Sequence, residues 1–353
     1  MILKQLSLQH FRTYTKALFS FEKTTVIVGP NAIGKTNLIE SIFFLATGKS
    51  FKSQEGELVQ LGQSLARIKG EIVEEVTDET GETIEILFSN EERFHKKYLV
   101  NGISRRRVDF AGHLTAVLFT PSDLDLISGQ PGNRRRFLDE VLEQVDREYR
   151  LALTLYTKAL RQRNALLDQV QQTGIRNEKL FTYWDDLLIT HGTLLAKKRE
   201  DFIEFVNQRH KDFFSFSLTY DKSIMSRERL DKYRQAEIGS GVTLVGPQRD
   251  DVLIQMHHAE SDELVDVRSF ASRGQQRLVT LELKLAQVAF LEERAKKQPL
   301  LLLDDIFSEL DSGNITRVLT LLKGRQTIIT TTHKEFLGDI GLDTKEVIEL
   351  ESK

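Results

Sequence analysis

The fold is decided by a short apolar run and the loop that follows it. Thr24-Thr25-Val26-Ile27-Val28 leads directly into Gly29-Pro30-Asn31-Ala32-Ile33-Gly34-Lys35-Thr36. The apolar run predicts a buried strand, and residues 37–46 predict a helix because their apolar positions recur at helical spacing. The loop between them fits the pattern G-x-x-x-x-G-K-[ST], and a strand before it and a helix after it are the setting that such a loop requires.

Each part of this loop suits phosphate. Its backbone N–H groups and the helix N-terminus favour an anion, and Gly34 allows close approach because it has no Cβ. Lys35 is predicted to reach the β- and γ-phosphates and Thr36 to bind Mg²⁺. The alternative is a turn that resembles the pattern by chance. The candidate nucleotide-binding residues are Gly29, Pro30, Asn31, Ala32, Ile33, Gly34, Lys35 and Thr36.

A second motif lies near the other end of the chain, where four leucines, residues 300–303, run into Asp304 and Asp305. The leucines predict a strand buried on both faces, and its acids would lie at the carboxyl edge of a sheet, where α/β proteins bind ligands. Asp304 is the predicted Mg²⁺ partner, and Asp305 is predicted to orient or deprotonate the attacking water. The alternative is an ordinary buried strand that ends in solvated acids.

About 270 residues separate the two motifs. Small GTPases place them much closer, whereas a large helical insertion between them is typical of ABC ATPases, especially those that manage DNA. The predicted fold class is α/β: an ABC-type P-loop ATPase head with an appended antiparallel sheet, an inserted α-helical lobe and no long coiled coil. The expected division is 1–120 for the N-terminal ATPase part, 121–238 for the helical lobe and 239–353 for the C-terminal ATPase part.

Composition excludes several classes of protein. The chain has 353 residues, which suggests two domains or one core with a large insertion. It has no cysteine, so a disulfide scaffold, a thiolate zinc site and a cysteine nucleophile are excluded. The net charge of −3 excludes a uniformly basic nucleic-acid coat but allows a local basic patch. No stretch approaches the roughly 20 apolar residues of a membrane helix, so we expect no membrane partner and a cytoplasmic location.

Three further motifs resemble those of ABC ATPases. Ala271 to Arg277 resembles the S-G-G-Q signature, with Arg273 in place of the first glycine. Taken alone, this segment fits the capped start of an ordinary helix equally well. Ser308 to Asp311 resembles the D-loop, and Thr330 to His333 resembles the switch-histidine strand. All of these motifs occur in the order typical of the class.

Longer blocks resemble the RecF family of bacterial recombination proteins, over residues 6 to 333. Two positions depart from that family: Ala32 stands where glycine is frequent, and Gln248 where histidine is frequent. The matching blocks are Leu6–Tyr14, Gly34–Glu40, Gly48–Phe51, Phe119–Asp139, Gly246–Asp251 and Leu303–Asp311.

The resemblance implies a DNA repair protein that uses ATP and Mg²⁺ and forms a homodimer when ATP binds. It implies binding to single-stranded and gapped double-stranded DNA, and cooperation with RecR and RecO in loading RecA. By the same resemblance, Arg12 approaches the nucleotide, and Lys35, Asp305 and His333 act in hydrolysis. The signature residues that would bind the γ-phosphate held by the second subunit are Ser272, Gly274 and Gln275.

Two questions remain open from the sequence. Basic clusters at 105–107, 134–136 and 197–199 are candidate DNA contacts, although such runs are more often solvated surface. The alternative functions are the ATPase subunit of a transporter and an SMC-like clamp.

Overall fold

The structure, a computed structural model, describes residues 1–52, 55–74, 81–90, 94–258, 261, 263–306, 312–332 and 346–350. The chain divides into two compact units. The first unit comprises Met1–Asp123 and Gln287–Lys353, and the second comprises Leu124–Ala286.

The first unit contains a parallel sheet that carries both predicted halves of the site. Its strands are β3 (Thr24–Val28), β8 (Ala116–Phe119), β12 (Leu300–Asp304), β13 (Thr327–Thr331) and β14 (Glu346–Glu349). Their order is β14-β3-β13-β12-β8, and every neighbouring pair is parallel. The leucines of β12 are fully buried, as their sequence predicts. Because the strands are parallel, β3 and β12 end at the same edge of the sheet, with only β13 between them.

The first unit also contains an antiparallel sheet. Its strands are β1 (Ile2–Phe11), β2 (Tyr14–Ser20), β4 (Leu65–Val73), β5 (Glu82–Ser89), β6 (His95–Val100) and β7 (Ile103–Arg105). Their order is β2-β1-β4-β5-β6-β7. Asn101 and Gly102, with φ of 50° and 77°, form the hairpin turn between β6 and β7.

Helix α1 (Lys35–Thr47) packs against strands of both sheets. Eleven of its thirteen residues are buried, which explains why its sequence is apolar on nearly every side. This packing fixes the helix N-terminus, where the phosphate loop ends. Among the described residues of the first unit, the other helical segments are α2 (Arg107–Phe110), α10 (Ser312–Leu322), a 3₁₀ turn at Glu55–Leu58 and a 3₁₀ turn at Pro121–Leu124, whose last residue begins the second unit.

The second unit is mainly helical. Its helices are α3 (Asp125–Ser128), α4 (Pro131–Val145), α5 (Arg147–Thr173), α6 (Glu178–Gln208), α7 (Arg227–Ser240) and α8 (Val267–Phe270), with a 3₁₀ turn at Pro247–Arg249. Helix α9 (Arg273–Ala295) begins in the second unit and ends in the first. The two longest helices, α5 and α6, pack against each other. No helix in the described ranges has the length and apolar character needed to cross a bilayer.

The boundaries of the second unit differ from the expected division. Residues 239–286, expected in the C-terminal ATPase part, lie in the second unit. The reason is strand pairing: β10 (Asp251–His257) lies between β9 (Ser217–Asp221) and β11 (Leu264–Asp266) in an antiparallel sheet. The expected boundary at residue 239 rests on the local sequence pattern, in which this long-range strand pairing is not visible.

Candidate nucleotide-binding site

The phosphate loop joins β3 to α1 through two residues with left-handed backbone. Gly34 has φ of 113°, and a Cβ there would lie 3.0 Å from the Tyr14 hydroxyl, so only glycine fits. Ala32 has φ of 64°, a conformation that costs a residue with a Cβ roughly 1–2 kcal/mol. This backbone conformation explains why glycine suits position 32, and it shows that alanine is accommodated there.

The Lys35 side chain lies across its own loop. Its Nζ donates hydrogen bonds to the carbonyl oxygens of Gly29 at 2.6 Å and Pro30 at 2.9 Å. Burial lowers the pKa of the Lys35 ammonium, and the nearby carboxylates of Asp305 and Asp304 act in the opposite direction. The ammonium is therefore a partly desolvated cation beside two acids.

The two acids of the β12 motif reach the same place. The Thr36 hydroxyl donates to Asp304 Oδ1 at 3.3 Å, so the predicted metal-binding pair is brought together. Asp305 follows directly and has φ of 53°. Asp304 Oδ1 also accepts from the hydroxyl of Thr330 on β13, at 2.6 Å.

These groups line a cleft of about 330 Å³ in the first unit. Its walls are residues 31, 32 and 34–37 of the loop and first helical turn, together with Asp304, Asp305 and Lys52. Lys52 is a functional candidate that sequence reasoning missed. The only sequence feature that could have indicated Lys52 is its position directly after Gly48–Phe51, one of the blocks that resemble the RecF family.

Tyr14, at the start of β2, supports the loop from the side. Its hydroxyl donates to the Gly34 carbonyl oxygen at 3.1 Å, and burial raises the pKa of Tyr14 to about 12. Asn37 Nδ2, in the first turn of α1, donates to the side chain of Thr13. The antiparallel sheet therefore positions the phosphate loop.

Arg12 is not one of the described residues that line the cleft. Its Nε and Nη2 donate to the two carboxylate oxygens of the buried Glu40, both at 2.9 Å. Glu40 Oε1 also accepts from Ser50 Oγ at 2.6 Å, and the Lys52 backbone N–H donates to the same Ser50 hydroxyl. Arg12 is thus connected to the cleft through Glu40, Ser50 and Lys52.

The signature residues lie in the second unit, at the start of α9. Gln275 N donates to Ser272 Oγ at 3.2 Å, and Ser272 N donates to Gln275 Oε1 at 2.8 Å. This reciprocal pair is a capping box, which is the alternative that the sequence left open. Ser272 and Gly274 are exposed, and apart from adjacent residues and the backbone of α9, the nearest atom to a Cβ at Gly274 would be 4.0 Å away. The candidates His333 and Ser308–Asp311 lie outside the described residues.

Most cations of two of the three basic clusters, 134–136 and 197–199, have partners within the chain, whereas Arg136 is exposed. Arg134 is buried and donates to both carboxylate oxygens of Asp251, at 2.7 and 2.9 Å. Arg199 is buried against Asp139 and Asp250. The neighbours Lys198 and Lys197 have salt bridges of their own, with Asp146 and Asp201. In the cluster at 105–107, the side chain of Arg106 is 74% exposed and pairs with Asp109 within the same turn.

Together, a parallel sheet, a phosphate loop and two acids at its carboxyl edge define a P-loop ATPase head of the ABC type, here with an added antiparallel sheet and a helical insertion. The chain belongs to the RecF/RecN/SMC N-terminal domain family, which matches residues 2–349.

Within this family, the chain is similar to proteins named DNA replication and repair protein RecF. It is 36% identical to the Shouchella clausii protein, covering 96% of this chain and 95% of the relative. It is 34% identical to the Natranaerobius thermophilus protein, covering 99% and 96%. The resemblance to RecF found in the sequence is confirmed.

Solved structures agree with this assignment. A structure of the recombination mediator protein RecF with ATP, described as part of the RecFOR pathway, superposes with a TM-score of 0.86 at 29% identity, covering 99% of this chain and 95% of that chain. An Smc head bound to the C-terminal winged-helix domain of ScpA has a TM-score of 0.53 at 18% identity, covering 100% of this chain and 95% of that chain, and shows the fold alone. The predicted fold class is confirmed.

Proposed function

We propose that this chain is a cytoplasmic, ATP-dependent DNA-binding protein of DNA replication and repair that hydrolyses ATP slowly. One observation carries the nucleotide assignment: the cleft combines the phosphate loop, the Lys35 ammonium and two carboxylates from the far end of the chain. The RecF names of its relatives and the ATP in the related RecF structure support the same function.

The side chains in the cleft fit ATP with Mg²⁺. Mg²⁺ prefers oxygen ligands, and the Thr36 hydroxyl and the Asp304 carboxylate supply oxygens 3.3 Å apart. Mg²⁺ bound there would neutralise charge on the phosphate oxygens. Lys35 would exchange the carbonyl oxygens of Gly29 and Pro30 for phosphate oxygens, and exposed Lys52 would add a second positive charge.

Hydrolysis is assigned to Asp305 and His333. Asp305 would hold the attacking water and accept its proton, and His333 would act as the switch histidine. Many ABC ATPases have glutamate at the position of Asp305, and one methylene less displaces the carboxylate by about 1.5 Å. Since misplacement by about 1 Å can reduce a rate roughly 10²-fold, we propose that ATP turnover times the dimer and does not drive a motor.

The exposed start of α9 is the proposed dimer contact. In its capping box the Ser272 oxygen accepts a hydrogen bond, so its own hydroxyl hydrogen remains available for a phosphate oxygen. Gly274 leaves room for an approaching group. We assign Ser272, Gly274 and Gln275 to the γ-phosphate held by a second copy of the chain.

The open face of the antiparallel sheet is the proposed DNA contact. The strand register places Lys16, Arg67 and Lys97 in one row across the sheet, through Gln9 and Leu87. Residues directly opposite each other point to the same face, and alternate strands are about 10 Å apart.

Lys69 lies on the same face, two residues along β4, and all four basic side chains are exposed. Arg67 is paired with Glu85, so the three lysines carry most of the proposed attraction for phosphates. The single-stranded and gapped duplex DNA implied by the family resemblance are the proposed ligands. RecR is the proposed direct partner, with RecO and RecA acting indirectly.

Sedimentation velocity tests this proposed function. The wild-type chain has a mass of 40.5 kDa, and we expect ATP with Mg²⁺ to convert it to a species of twice that mass. A gapped duplex should co-sediment with this dimer, and much less with the nucleotide-free chain. An unchanged sedimentation coefficient with ATP, or DNA binding indifferent to ATP, would contradict the proposal.

A further inference from the structure

A fully buried threonine lies between the two halves of the cleft. Thr330 is near the end of β13, which separates β3 from β12, and its side chain has no solvent exposure. Its hydroxyl lies 2.6 Å from Asp304 Oδ1 and 3.1 Å from the backbone nitrogen of Asp305. One hydroxyl group therefore contacts both acids of the motif.

The direction of both hydrogen bonds follows from their chemistry. The Asp305 backbone N–H can only donate, so the Thr330 oxygen accepts it. The single hydroxyl hydrogen is then directed to the Asp304 carboxylate. That carboxylate oxygen also accepts from Thr36, so a continuous chain of hydrogen bonds runs from the phosphate loop through Asp304 to Asp305.

The contact with Asp305 is made where the strand ladder ends. The pairing of β12 with β13 stops at Asp304 and Thr330. Asp305 then turns into the left-handed region, with φ of 53°, which residues other than glycine seldom adopt. At this turn the Thr330 hydroxyl accepts a hydrogen bond from the backbone N–H of Asp305. This bond stabilises the turn that orients the Asp305 side chain.

We propose that Thr330 is a positioning residue for ATP hydrolysis: its hydroxyl orients the metal-binding carboxylate of Asp304 and holds the backbone turn that places Asp305. This inference rests on the proposed ATPase function of the cleft. Hydrogen bonds to metal-binding carboxylates commonly change metal affinity or activity by about 10–100-fold when removed. The effect of Thr330 should therefore appear in Mg²⁺ dependence and in kcat, with nucleotide affinity in EDTA unchanged.

Three variants of the full chain test this. Thr330→Val keeps the shape and removes the hydroxyl, whereas Thr330→Ser keeps the hydroxyl. Thr327→Val is the matched control, because Thr327 is buried on the same strand and its hydroxyl bonds only the Arg325 carbonyl oxygen among the contacts described for it. Each variant is measured for melting temperature, for nucleotide affinity in EDTA and as a function of Mg²⁺, and for kcat and KM.

For Thr330→Val we expect affinity in EDTA within about twofold of wild type, and a loss of about tenfold or more in both the Mg²⁺-dependent gain in affinity and kcat. Thr330→Ser and Thr327→Val should resemble wild type. Wild-type kcat in Thr330→Val, an equal loss in Thr330→Ser, or an equal loss in Thr327→Val would overturn the assignment. A wild-type chain without Mg²⁺-dependent ATP hydrolysis would instead refute the proposed function itself.

Discussion

The Thr36 hydroxyl lies 3.3 Å from Asp304 Oδ1, although 268 positions separate the two residues in the chain. The parallel sheet brings them together, because β3 and β12 end at one edge with β13 between them. The site can therefore form only when the N- and C-terminal segments of the first unit fold together.

Asp305→Asn should lengthen the life of the ATP-bound dimer. The amide cannot accept a proton from water, so turnover should fall about a hundredfold or more. Phosphate release in a single turnover and dimer dissociation after dilution measure the two effects, with Asp125→Asn, an exposed acid of the second unit, as the control. Two results would contradict the proposal that ATP hydrolysis sets the lifetime of the dimer: a wild-type turnover of tens per second, or a variant dimer that dissociates as fast as the wild-type dimer.

Ser272 has two roles that two substitutions separate. Ser272→Ala removes the helix cap at a cost of about 1 kcal/mol and should weaken the ATP-dependent dimer, while the ATP affinity of the monomer stays unchanged. Ser272→Asp keeps a good cap but brings a negative charge toward the phosphate of the partner, so its dimer should be weaker still. If the Asp variant dimerises like wild type, Ser272 acts only as a cap.

Replacing the three lysines of the sheet face, Lys16, Lys69 and Lys97, with alanine should weaken DNA binding. The slope of log affinity against log salt should become shallower by about 0.9 for each phosphate of duplex DNA that the variant no longer neutralises. The control replaces three exposed lysines of the second unit, namely Lys158, Lys179 and Lys232. An unchanged salt slope in the sheet variant, or an equal change in the control, would show that this surface does not bind DNA.

Glu282 makes stability depend on pH. It is buried on α9, and desolvation raises its pKa above the ordinary 4.5, with the backbone N–H of Phe213 acting in the opposite direction. Folding therefore favours the protonated form, so the charged carboxylate destabilises the fold above the raised pKa, and this cost disappears as the pH falls below 4.5. Glu282→Gln should melt at a higher temperature than wild type at pH 8, with the difference shrinking toward pH 4. A difference that is constant with pH would contradict this.

The local motifs were predictable because each is contiguous in the chain. The phosphate loop needs only residues 29–36 and a flanking strand and helix, and the β12 motif needs only four leucines before two acids. The inserted helical lobe was likewise predicted, and its two longest helices are α5 and α6.

Features that depend on distant pairing were not predictable. Arg134 looked like a free cation, but its partner Asp251 lies 117 positions away. Lys16, Lys69 and Lys97 are scattered in sequence, and only the strand register gathers them on one face. The same holds for Thr330, whose contacts with the two acids require β13 to insert between β3 and β12.

The central claim is that ATP binds in the cleft of the first unit through the phosphate loop. Equilibrium titration of wild type, Lys35→Ala and the exposed-lysine control Lys23→Ala with a fluorescent ATP analogue and Mg²⁺ tests it directly. Lys35 provides a partly desolvated ammonium beside the loop carbonyl oxygens, so we expect its loss to reduce affinity about a hundredfold or more, equivalent to roughly 2.7 kcal/mol. Lys23→Ala should bind like wild type. Equal affinity in Lys35→Ala and wild type would contradict the assignment of this cleft as the nucleotide site.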